Sequence, residues 1–505
     1  MRFLWKDIFR QKSFRITAGP WLILKDNPES SIEICWHTKD KKTSELRWGT
    51  SGTSLRKSEI SPRSRNHRIS LSKLKPDKLY YFSIIEDLYF FRKEYVFSFR
   101  TAKRNPECID FIISGDLQPN DDYTIRTNKI FSERIDKENP DFIVQTGDLV
   151  HLGNSSKAWF KLLKILPGMA SGRPILAAIG NHEYYPFYDN KAFRKFFPYN
   201  FEDRNACYYS FDYKTIHFSF LDAYEGGYDG MNSKVSEEQK LWFIKDLKKA
   251  IENNCQWIFV ILHQPVFTNG EFPEDVELKN WILPIISHYN VDAVFWGHSH
   301  LYEHWYYKYG DNGFVLNHND VPGEDFIDYF CIGSSGIDLE SNYNLFTHQP
   351  YVCKDQQWFN LNTQAYEYHT FIHYPWDKIN YSDGYINSDY FKESELHYFH
   401  DKSIEKEILS DNRPGNIHRN TQWYNYVYGE NAMHYAKIHI ENNICRLSIH
   451  YANGDILQGL DNNQPQIFNF KKKYREHISD KNFHITNQID MLSSNNSHGE
   501  STWHK

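Results

Sequence analysis

Apolar and polar positions follow two different rhythms along the chain. Over residues 13–103 they alternate in short stretches. Ser31-Ile32-Glu33-Ile34-Cys35-Trp36 and Arg68-Ile69-Ser70-Leu71 have period two, and Tyr80 to Ile85 and Tyr95 to Phe99 follow. Asp26-Asn27-Pro28, Gly49-Thr50-Ser51-Gly52 and Lys75-Pro76-Asp77 punctuate them. Short strands at roughly ten-residue spacing predict an all-β sandwich. Lys103-Arg104-Asn105-Pro106-Glu107 reads as a linker. Beyond it come compact apolar runs: Ile109 to Ile113, Phe142 to Gln145, Ile175 to Ile179, Trp257 to Leu262 and Val291 to Trp296. Such runs fit strands buried on both faces. Helical signals lie between them. Ser236-x-x-Gln239 is a capping box ahead of Leu241, Ile244, Leu247 and Ile251, and Lys157 to Leu166 is a second candidate. The alternation predicts a layered α/β domain over 104–470.

Residues 341–425 break this rhythm. They are crowded with Tyr, Phe, His, Asn and Asp and read as an insertion or cap that would set substrate choice. Strands return over 426–470, with a hairpin signal at Asn453-Gly454. Residues 471–505 read as a disordered tail. Aromatic residues make up 17% of the 505 positions, which places most of the chain in folded domains rather than a disordered polymer. A formal charge of −7 supplies no global basic field, so there is no strong nucleic-acid signal. Seven cysteines without a Cys-x-x-Cys pair speak against a disulfide scaffold or a thiolate zinc site. Met1 to Pro20 lacks the apolar core of a signal peptide, and no run is long enough to span a bilayer. The expectation is a cytoplasmic protein, with export by another route left open. Leu4, Trp5, Ile8 and Phe9 recur at helical spacing among basic residues, as a short docked helix or a membrane-surface helix would.

The chemistry follows the buried runs. Ile113 leads into Ser114-Gly115-Asp116-Leu117-Gln118, and Gln145 into Thr146-Gly147-Asp148. Ile179 leads into Gly180-Asn181-His182-Glu183, Leu262 into His263-Gln264-Pro265, and Trp296 into Gly297-His298-Ser299-His300. Ligands of open α/β sheets bind outside the carboxyl ends of the strands. The chain thus gathers Asp116, Asp148, Asn181, His182, His263, His298 and His300 on one rim. Oxygen and imidazole donors without thiolate suit Mn, Fe, Zn or Co, and there are too many for one four-coordinate ion. A lone Gly-Asp after a strand is usually a turn; the ordered set of five strand ends is what carries a two-metal reading.

That ordered set resembles the calcineurin-like metallophosphoesterase superfamily. His263-x-Pro265, Gly297-His298-Ser299-His300, Tyr329 to Gly336 and Tyr428-Gly429-Glu430 look like its purple acid phosphatase branch. The front domain resembles a fibronectin type III module, where Trp36 would fill the core. The pattern Leu74-x-Pro76-x-x-x-Tyr80 would make a tyrosine corner, with Tyr80 bonded back to the backbone. The resemblance implies an α/β/β/α sandwich and two ions of the Fe/Mn/Zn type. Asp116 and His300 would hold one ion, Asn181, His263 and His298 the other, and Asp148 both. A bridging hydroxide would attack the phosphorus of a phosphate ester, and His182 would protonate the leaving group or orient a ligand.

Two positions depart from the family pattern. Gln118 stands where many members have His, and His151 where purple acid phosphatases have Tyr. Either could complete the first metal site through its amide oxygen or a ring nitrogen. Without that tyrosinate, no purple charge-transfer colour is expected. Alternative readings are a phosphodiesterase or nuclease of the same fold, and an interaction protein with a vestigial metal site. Oligomeric state is not legible.

Overall fold

The computed structural model describes residues 16–85, 95–187, 189–225, 233–268, 275–307, 326–337, 343–344, 349–350, 353–360, 365–371, 426–430, 433–452, 454–457, 465–473 and 475. The N-terminal helix considered from sequence lies outside them, as do most of residues 341–425 and 471–505.

The chain begins with five strands: β1 (Ile16–Ile23), β2 (Ile32–Gly49), β3 (Lys57–Leu71), β4 (Leu79–Ile85) and β5 (Val96–Arg100). Trp36 is fully buried, and its indole N–H donates to Ser44 Oγ at 3.1 Å. Tyr80 accepts the backbone N–H of Lys75 at 2.9 Å, the backward bond expected of a tyrosine corner. This all-β region does not close on itself. Strand β1 pairs in parallel with β8 of the next region, through Leu22↔Pro174 and Ile23↔Ile175.

The α/β region starts with β6 (Cys108–Ser114), α1 (Asp122–Glu138), β7 (Phe142–Gln145), α2 (Ser156–Ile165), α3 (Pro167–Ala170), β8 (Pro174–Ala177), α4 (Asn181–Tyr184) and α5 (Lys191–Phe196). It continues with β9 (Tyr209–Tyr213), β10 (Ile216–Phe220), α6 (Glu237–Glu252), β11 (Trp257–Ile261), α7 (Val276–His288), β12 (Ala293–Trp296), β13 (Tyr302–Tyr307) and β14 (Ile327–Ile332). The later segment holds two small antiparallel pairs, β15 (Tyr343–Asn344) with β16 (Gln349–Pro350) and β17 (Cys353–Asn360) with β18 (Ala365–Phe371). Then come β19 (Tyr426–Glu430), β20 (His434–Glu441), β21 (Ile444–Tyr451) and β22 (Ile467–Lys471). His369 sits in strand β18.

One sheet runs β22-β21-β20-β6-β7-β8-β1-β2-β4-β5, with β3 on β2; the other runs β19-β13-β14-β12-β11-β10-β9. They meet face to face through edge-to-face aromatic pairs, Phe111 on Phe218 at 5.5 Å and Phe142 on Phe218 at 5.7 Å. Strand alternation explains the apolar runs. Along β11, Trp257, Phe259 and Ile261 enter the core between the sheets. Ile258, Val260 and Leu262 face outward to Phe243, Leu247, Leu278 and Ile282 of α6 and α7. A strand covered on both faces has no polar positions to spare. Ser236 caps α6 by accepting the N–H of Gln239, and Ser155 caps α2 through that of Ala158. Helices α2 and α3 lie against β1, and α6 against β10, giving a helix/sheet/sheet/helix sandwich. Among the described residues, no helix is long and apolar enough to cross a membrane.

Candidate metal centre

Strands β6, β7 and β8 are parallel, as are β10, β11, β12 and β14. Their carboxyl ends deliver the motif residues to one place, where the two sheets are stitched together. His263, after β11, donates Nδ1–H to the Thr146 carbonyl at 3.0 Å, after β7. The backbone N–H of His298, after β12, donates to Asp116 Oδ1 at 3.1 Å, after β6.

The backbone bends sharply to do this. Asp116, Gln118, Asp148 and His298 have φ of 53°, 32°, 51° and 67°. Non-glycine residues in this left-handed region are uncommon, and such strain concentrates at functional sites. Two glycines permit the close approach. A Cβ on Gly180 would lie 2.1 Å from Asp148 Oδ1, and one on Gly297 2.3 Å from Asp116 Oδ2.

Asp116, Asp148 and His263 each bring one donor atom to within 4.8 Å of the others, and all three are buried. His263 Nε2 lies 3.2 Å from Asp148 Oδ2 and 3.9 Å from Asp116 Oδ1. His300 Nε2 is 3.7 Å from Asp116 Oδ1. His298 Nδ1 is 3.1 Å from Asn181 Oδ1. All six residues assigned to metals by resemblance therefore converge. Their protonation suits a cation. With Nδ1–H given to Thr146, His263 turns the lone pair of its other, buried nitrogen, which has no hydrogen-bond partner, toward two carboxylates. Burial pushes His298 far below the usual imidazole range, which favours the neutral form that binds metals. Burial opposes ionisation of Asp148, yet the polar groups around it outweigh burial and hold this carboxyl below its usual range. Lone pairs aimed at a buried acidic cluster fit divalent cations of the kind these donors prefer.

Gln118 and His151 are placed differently from those six. Gln118 directs its amide nitrogen, not its oxygen, to Asp148 Oδ2 at 2.6 Å. The ring of His151 packs 5.2 Å from that of His182, and its carbonyl accepts His182 Nδ1–H at 2.8 Å. His182 presents Nε2 3.8 Å from Asp148 Oδ2, with 27% of its side chain exposed.

Glu183 received no role from sequence. It is fully buried and accepts three backbone N–H groups: Gly180 at 2.8 Å and Asp148 at 3.0 Å on Oε2, and Val150 at 3.1 Å on Oε1. It thereby ties the loop after β7 to the loop after β8. Burial and the Asp148 charge push its carboxyl upward, against the pull of these donors. The available signal was an acidic residue three positions after a strand-ending glycine, the spacing of a capping box.

Residues 109–302 match the family model for calcineurin-like phosphoesterase. Purple acid phosphatase 21 of Arabidopsis thaliana is 28% identical over 247 residues, covering 47% of this chain and 52% of its own. Probable purple acid phosphatase 20 of the same plant is 28% identical over 255 residues, covering 48% and 56%. The chain thus spans about half the length of the curated relatives it matches. A purple acid phosphatase from yellow lupin (Lupinus luteus) seeds superposes with a TM-score of 0.59 at 14% identity, covering 90% of this chain and 74% of its own, a likeness of fold. The segment that matches the calcineurin-like phosphoesterase model holds every residue of the rim, and the curated relatives it resembles in sequence are purple acid phosphatases.

Proposed function

We propose that the chain hydrolyses phosphate esters with two bound cations of the Fe/Mn/Zn type. The observation that carries this reading is the convergence of Asp116, Asp148 and His263 at one buried point, with His300 beside Asp116 and His298 beside Asn181. Asp116 and His300 would hold one cation, Asn181, His263 and His298 the other, and Asp148 both. When bound, such a pair lowers the pKa of coordinated water toward neutrality and neutralises charge on phosphoryl oxygens. The chain's own contribution is orientation. Thr146 fixes the tautomer of His263, Gln118 steadies Asp148 through one oxygen, and the His182 N–H steadies it through the other. Gln118 is therefore assigned to positioning rather than to metal ligation, and His151 to supporting His182.

Stripping the protein with a chelator is expected to abolish hydrolysis of aryl phosphate mono- and diesters. Adding back Mn, Zn or Fe(II) should restore it, with metal content measured in parallel. A stripped protein that keeps its full rate would rule the proposal out.

His182 is the candidate general acid. Its side chain is more exposed than those of His263, His300, Asp116 and Asp148, and its Nδ1 is committed to a carbonyl, which leaves Nε2 for the leaving group. His182→Ala is expected to slow alkyl phosphates about 10²–10³-fold in kcat/KM but nitrophenyl phosphate less than about tenfold, because only the poor leaving group needs a proton. Equal loss on both substrates would reduce His182 to a positioning residue.

A further inference from the structure

A second donor cluster stands at the opposite end of β6. Strands β6 and β20 are antiparallel, in register His439↔Asp110 and Glu441↔Cys108. Residues two apart share a face, so Cys108, Asp110, His439 and Glu441 form a square patch, while Ile109, Phe111, Ile438 and Ile440 fill the core behind it. Cys108, Asp110 and His439 each bring one donor atom to within 4.8 Å of the others. His439 Nδ1 lies 2.8 Å from Asp110 Oδ1. Asp110 is set from behind, its own N–H donating to Asp141 Oδ2 at 3.0 Å. Cys108 and Asp110 also line a cavity of about 180 Å³ with Lys103, Asn139, Asp141 and Tyr213. All three donors are half-buried, neither sealed from solvent nor freely mobile.

We propose that Cys108, Asp110 and His439 form a binding site for a borderline-soft divalent cation of the zinc class, separate from the phosphoesterase rim. Sulfur, imidazole and carboxylate together select zinc-like ions over magnesium or calcium. Three protein ligands suffice, with Glu441 or solvent from the cavity in the fourth position. Strand rise puts Cys108 about 20 Å or more from Asp116, so the two sites do not share ligands. The cation releases the Cys108 thiol proton to solvent as the thiolate coordinates. Its consequence is structural. Asp110 and His439 are 329 positions apart, and the cation clamps the late strand β20 onto the strand that leads into Asp116.

The test uses the full chain, stripped and titrated with Co(II). The rim contains oxygen and nitrogen donors only, so a thiolate-to-cobalt charge-transfer band in the near ultraviolet cannot come from it, and Cys108→Ser separates the new site from the Asp212, His217 and Cys255 cluster. It should appear in the wild type and vanish in Cys108→Ser and in His439→Ala. Cys35, Cys207, Cys255, Cys331 and Cys445 are buried, whereas Cys108 is partly exposed. Burial and Asp110 raise its pKa, so alkylation is read at mildly alkaline pH, by mass spectrometry of the Cys108 peptide. Zn(II) should slow that alkylation at least about tenfold, because a coordinated thiolate is withheld from the electrophile. The slowing should be lost in His439→Ala, while both variants keep phosphoesterase activity. A missing band, a band undiminished in Cys108→Ser, or alkylation indifferent to Zn(II) would overturn the site and leave an ordinary His–Asp pair beside a thiol.

Discussion

Asp148→Asn is expected to lower turnover of an aryl phosphate by at least about 10³-fold while leaving the fold intact. The side chain keeps its shape, and its oxygen can still accept the His182 N–H that Oδ1 takes at 3.0 Å. What it loses is a charge at a buried point where His263 Nε2 approaches to 3.2 Å and Gln118 donates at 2.6 Å. An amide nitrogen there would face another donor from Gln118 and could not serve two cations. Bound metal should therefore fall from two equivalents toward one, and the urea midpoint of the stripped protein should move little. Full activity in Asp148→Asn would sink the two-cation reading. Two retained metals with lost turnover would instead confine Asp148 to the chemical step.

The site was legible because its signals are local. Each buried strand leaves an apolar run, and a parallel strand must end where the ligands sit, so Asp116, Asp148, Asn181, His263, His298 and His300 could be placed on one rim before any coordinates. The tyrosine corner was local as well, spanning Lys75 to Tyr80. Pairing between distant segments was not legible. Nothing near Leu22 announces that it pairs with Pro174, so the front strands read as separate when they extend the larger sheet. For the same reason the proximity of Cys108 to His439 is hidden in the sequence: strand alternation gives a face but not a partner. Gln118 shows a third limit. Its residue type allows ligation, and only its orientation toward Asp148 makes it a donor to the carboxylate. Glu183 differs from these, since its signal, an acidic residue three positions after Gly180, is local.

Glu183→Ala is expected to be the most destabilising single change at the rim. Three backbone N–H groups, from Gly180, Asp148 and Val150, would lose their acceptor in a region closed to water. An unsatisfied buried donor costs about 1–3 kcal/mol, so a loss on the order of 3–5 kcal/mol is expected after partial relaxation. That should appear as a lower urea midpoint with little change in slope. The effect should also reach the chemistry. Asp148 and Asn181 sit on the two loops that Glu183 joins, and a loosened second layer typically weakens metal binding about 10–100-fold. Glu183→Gln separates the two consequences. The amide keeps one oxygen for the paired N–H groups of Gly180 and Asp148 but turns a donor toward the N–H of Val150. It should therefore recover a large part of the lost stability and stay short of the wild type in metal affinity. If Glu183→Ala unfolds within about 0.5 kcal/mol of the wild type, the carboxylate is not what holds the two loops together, and the left-handed bend at Asp148 must be maintained by the strands alone.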